Sequence, residues 1–160
     1  MKENKMKKIA MALSLVLFPL TAQAQSGGDQ VIQAAADELK PAFCANNLKQ
    51  AIQIVEGCYA KVDEDSEKYN MNQCVIEDIF VVGIMAVKRK QYVDNFQTDP
   101  YANLDFDDNT NAASRWLKHP SFISNIITNV EKMKQLGYRV GEGVGGNLKQ
   151  ENCLDFENLK

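Results

Sequence analysis

The residues of this chain with the widest chemical repertoire are its four cysteines, Cys44, Cys58, Cys74 and Cys153. As thiolates they bind zinc, attack carbonyls or exchange electrons; oxidised in pairs, they cross-link the chain. No two are spaced Cys-x-x-Cys and the sole histidine is His119. Zinc, a dithiol oxidoreductase and a c-type haem therefore all lack their ligand pattern. Disulfides remain, and four cysteines allow three pairings. Cys58 and Cys74 flank the polar stretch Asp63-Glu64-Asp65-Ser66-Glu67-Lys68 almost symmetrically. If that stretch turns the chain between antiparallel helices, the two sulfurs come level, which selects Cys58–Cys74 and, by elimination, Cys44–Cys153.

Other chemistry finds fewer parts. A serine or cysteine hydrolase needs a base, yet His119 stands directly before Pro120 and reads as a turn residue. Paired carboxylates that cleave glycosides have candidates in Glu64, Asp65, Glu67, Glu77 and Asp78. Most of these read as solvated faces. Glu77 and Asp78 interrupt an apolar run and, if buried, need a cation such as Arg115 or Lys88. The acidic cluster Asp105, Asp107, Asp108 fails as an EF-hand loop: counting from Asp105, the sixth and twelfth positions hold Thr110 and Trp116 where Gly and Glu are required. Gly141-Glu142-Gly143-Val144-Gly145-Gly146 matches the letters G-x-G-x-x-G, but no apolar strand precedes it, and it reads as a flexible loop that returns Cys153 to its partner. No catalytic residue, cofactor or metal ligand is assigned.

The elements that must position these residues are helical. Val31, Ile32, Ala35 and Leu39 recur at helical spacing, and Pro41 is expected to start a new helix. Cys44, Leu48, Ala51, Ile52, Val55, Cys58, Tyr59 and Val62 share one face of that second helix. A third begins at Asn70, a capping residue, and is apolar nearly all round from Ile79 to Val87, which makes it the centre of the fold; Lys88-Arg89-Lys90 is expected to close it. A polar connector, 95–111, follows, and Asp107 or Asp108 is expected to cap a short helix carrying Trp116 and Leu117. Pro120 and Ser121 open a last helix through Leu136, stopped by Gly137. The expected fold is all-α: a small single-domain bundle of four to six helices with two disulfides.

The N-terminus explains the oxidised cysteines. Lys2, Lys5, Lys7 and Lys8 precede an uncharged apolar run, Ile9–Leu20, and then Ala22-Gln23-Ala24, the pattern a signal peptidase reads. Residues 1–24 are expected to be a cleaved signal peptide and 25–160 one domain. The run has 12 residues, short of the roughly 20 that span a bilayer. Gln25 stands where a lipoprotein would need cysteine. A soluble periplasmic or secreted protein is expected. The whole chain carries a formal charge of −3; the leader accounts for +3, which leaves the remainder at −6. Such a balance argues against nucleic acid, whose phosphates need clustered Lys and Arg, and against an anionic membrane surface.

With catalysis lacking its parts, binding is the function class left. An acidic, disulfide-stapled domain suits masking a basic partner protein, as an inhibitor does; the alternative is a periplasmic protein that binds a small ligand or responds to envelope stress. The contact residues expected are Tyr101, Asp105, Phe106, Asp107, Asp108 and Trp116, although Phe106 and Trp116 serve equally well as core. The signal peptide, the all-helical layout and Cys153-Leu154-Asp155-Phe156 are similar to periplasmic immunity proteins of type VI secretion amidase effectors, whose C-termini carry a Cys-Leu-Asp stretch. This chain departs from that pattern in its Gly-rich segment and in lacking Tyr-His-Ser after the stretch, so no functional residue is carried over. The resemblance implies binding and blocking of a peptidoglycan amidase.

Overall fold

The structure, a computed structural model, describes residues 27–159 apart from 67, 101, 103–105, 107–113, 117–129 and 156. The expected signal peptide, His119, the capping by Asp107 or Asp108 and the helix start at Pro120 lie outside the described residues. Four helices dominate what is described: α1 (Gly27–Cys44), α2 (Leu48–Glu64), α3 (Met71–Asp94) and α4 (Val130–Gln150). The fold is all-α, and no strand occurs among the described residues.

Capping asparagines set two of the starts. Asn47, with extended backbone, accepts a hydrogen bond from Gln50 N at 3.0 Å, and Asn70 does the same for Asn72 N at 3.0 Å, each satisfying an N–H that the first turn leaves unpaired. The end of α1 is closed by Asn46 in the left-handed region (φ 52°), with Asn47 N donating to Ala42 O at 2.9 Å. α1 therefore runs through Pro41 rather than restarting there. The carbonyl that Pro41 leaves without a donor belongs to Asp37, an exposed residue open to water. Consequently Cys44 ends α1 instead of sharing a helix with Cys58.

α3 packs against each of the other three helices, and so does α1; α2 and α4 flank this pair. The apolar circumference of α3 is thus accounted for, with Val75, Val81, Ile84 and Met85 buried on different sides. Phe43 of α1 meets Phe80 of α3 edge to face, ring centroids 5.4 Å apart. Each such side chain stabilises the fold by roughly 1.5–3 kcal/mol on burial. Lys88-Arg89-Lys90 does not end α3, which continues one turn to Asp94. Lys88 is buried with its Nζ over the Tyr92 ring at 5.5 Å, and Lys90 pairs with Asp94 of the same helix at 2.5 Å.

The Gly-rich segment is a helix, not a loop. α4 passes through Gly137 and all of 141–146 because Val140, Val144 and Leu148 repeat every four residues and are fully buried. Gly143 has a packing reason: a Cβ there would lie 2.5 Å from Ile32 Cγ2 of α1, so the missing side chain lets the two helices close. Burial of this face outweighs the intrinsic cost of glycine, about 1 kcal/mol per residue. After α4, left-handed Asn152 (φ 56°) turns the chain and Cys153 N bonds to Leu148 O at 2.8 Å.

Both disulfides are as the spacing indicates. Cys58–Cys74 joins α2 to α3 across the 65–70 turn, and Cys44–Cys153 ties the end of α1 to the residue group following α4. Among the described residues no cysteine is free.

Candidate functional site

Glu77 and Asp78, consecutive on α3, are both 0 % exposed. A helix rotates 100° per residue, so consecutive side chains enter different seams, and these two meet different partners.

Asp78 collects four hydrogen bonds. Its Oδ2 accepts from Tyr59 Oη of α2 at 3.0 Å, from Arg115 Nε at 2.9 Å and from Trp116 Nε1 at 2.8 Å; its Oδ1 accepts from Arg115 Nη2 at 2.6 Å. The Arg115 fork is bidentate, the strongest form of this pair. Nη2 also donates to Phe106 O at 2.9 Å, and the guanidinium lies 4.0 Å from the Phe106 ring centroid. Burial, then the charge of Asp78, pushes the Tyr59 phenol well above its ordinary range, so it stays a donor. With four hydrogen bonds converging on it from α2 and from Arg115-Trp116, Asp78 is a clamp.

That clamp fastens the connector. Arg115 and Trp116 sit in one helical turn, Ser114–Trp116, and are drawn onto α3, while buried Phe106 is held through its carbonyl. Further upstream, Arg89 Nε of α3 bonds Asp99 Oδ2 at 2.9 Å. Of the expected contact residues, Phe106 therefore faces inward and Trp116 is half-buried with its N–H committed to Asp78. Phe106 belongs to the buried core, and Trp116 packs against that core with part of its surface exposed. Tyr101, Asp105, Asp107 and Asp108 lie outside the described residues. Tyr59 and Trp116 as donors to Asp78 escaped the sequence reading; the available signal was that buried Tyr and Trp need an acceptor for their polar end.

Glu77 fares differently. Gln73 Nε2, one turn earlier, donates to Oε1 at 2.8 Å, and Oε2 is buried with no hydrogen-bond partner. Burial pushes its carboxyl up to about 7, with the Gln73 hydrogen bond opposing the shift. Around it stand Glu38 of α1 and Lys61 of α2, themselves 3.9 Å apart at the surface.

Among the described residues no group of His, Cys, Asp and Glu is arranged to hold a metal. Open grooves occur at the α1–α4 seam (about 430 Å³, with Asp29, Gln33, Arg139 and Asn147) and beside the end of α3 (about 500 Å³, with Lys88, Tyr92, Gln97 and Glu157). No described helix is long and apolar enough to cross a membrane, and the two disulfides point to an oxidising compartment. Comparison of the chain with protein-family models, with curated proteins and with solved structures gives no match.

Proposed function

We propose that this chain is an exported, non-catalytic binding domain, an inhibitor or immunity protein that captures a basic protein partner, with a cell-wall-acting enzyme as the partner class. The observation that carries the reading is the anchoring of the acidic connector. Asp99, Phe106 and Arg115-Trp116 are each fixed to the helical body, and Asp105, Asp107 and Asp108 lie between those anchors. A contact segment with its ends held loses less freedom on binding, which favours affinity. The net −6 that remains once the leader is removed steers encounters with a positive surface.

The test is capture and inhibition by the mature domain at low salt, using a basic peptidoglycan amidase. Stoichiometric binding with loss of amidase activity is expected, and Asp107→Asn with Asp108→Asn should slow association about tenfold or more. Unchanged association in that double variant removes the connector from the reading. Peptidoglycan cleavage by the domain itself, abolished in Glu77→Gln, or a small apolar ligand carried through purification, overturns it.

A further inference from the structure

Among the described residues, Glu77 is the buried group that the helical packing does not complete. Its Oε2 is enclosed by protein and receives no donor, while Oε1 has Gln73 alone. An ionised carboxylate left in that state is strongly disfavoured, whereas a neutral carboxyl carries its own hydrogen to the empty side. Among the described residues, the surroundings supply no fixed cation. From α1 comes Glu38, of like charge; from α2 come Lys61 and the phenol of Tyr59, already given to Asp78; the buried side chains of α4 are apolar (Val140, Val144, Leu148). Lys61 is half exposed, loosely held by Glu38 at 3.9 Å and 6.0 Å from the Tyr69 ring centroid, so it is the cation free to move.

We propose that Glu77 is a proton-binding site built into the α1–α2–α3 seam, and that loss of its proton draws Lys61 away from Glu38 and loosens the contact of α1 with α2. The neutral form is the one the closed seam accommodates. The upward displacement of the carboxyl by burial, to about 7, puts the transition between mildly acidic and neutral surroundings. Because the folded value is raised above the unfolded one, the proton stabilises the fold fully below about 4.5, progressively less as pH rises towards 7, and not at all above it. This device is independent of the partner-binding reading.

The experiment is equilibrium unfolding of the mature chain from about pH 4.5 to 8, wild type beside Glu77→Gln, with carboxyl-carbon NMR of the wild type. The folded-to-unfolded ratio of wild type should fall, relative to the variant, by roughly ten- to a hundredfold across that window. The Glu77 resonance should titrate near neutrality, and Lys61→Met should move its midpoint higher. Parallel pH profiles, or a Glu77 resonance that titrates in the ordinary carboxylate range, overturn the proton site; if Glu77→Gln does not fold, the wild-type resonance decides. A midpoint unmoved by Lys61→Met overturns the exchange of partners.

Discussion

Glu77 and Asp78 share a helix, a charge and complete burial, and differ in what the fold brings to them. Asp78 receives a guanidinium, a phenol and an indole from two other parts of the chain; Glu77 receives one amide from its own helix. Burial by itself therefore does not decide what a carboxylate does. The number of donors that arrive does: enough of them make a structural pin, too few leave a group whose charge depends on its surroundings.

This contrast is open to direct attack. Asp78→Ala should be the most damaging change, since it strands the mostly buried Arg115 cation and frees two donors; a loss of about 3–5 kcal/mol in chemical denaturation is expected. A loss no larger than that of a surface substitution would erase the distinction. Next comes the Cys58–Cys74 bridge, whose first member lies across the seam and whose second stands one turn before Glu77. Replacing both cysteines by serine should cost about 3 kcal/mol. By admitting water, it should also return the Glu77 carboxyl towards its ordinary range in NMR, leaving the Asp78 contacts in place. Tyr59→Phe removes one of the Asp78 donors and should cost about 1 kcal/mol, without changing the pH profile of stability between 5 and 8. Smallest is Glu77→Gln at about pH 5, where the amide mimics the protonated acid; a melting comparison should differ from wild type by less than about 1 kcal/mol.

Part of this was legible in the residues alone. The even spacing of Cys58 and Cys74 about a polar turn gives their pairing, and two acids within an apolar run announce a need for a cation, met by Arg115. Which acid would receive it was not legible, because that depends on the angle at which the connector returns to α3. Local signals also misled where packing overruled them. Pro41 lies inside α1 because only its last turn remained to be built, and five glycines lie inside α4 because Val140, Val144 and Leu148 hold that face against the core. Glycine at 143 reports the nearness of Ile32, a neighbour more than a hundred positions away that no local window contains.

The bridge between Cys44 and Cys153 joins residues 109 apart and turns most of the domain into a covalent ring. The ring cannot shut until Cys153 has emerged, so until then the end of α1 carries a bare sulfur. Once shut, a single proteolytic nick between those positions severs nothing: the clipped molecule migrates as one species on a non-reducing gel, and the cut becomes visible only after a reductant is added.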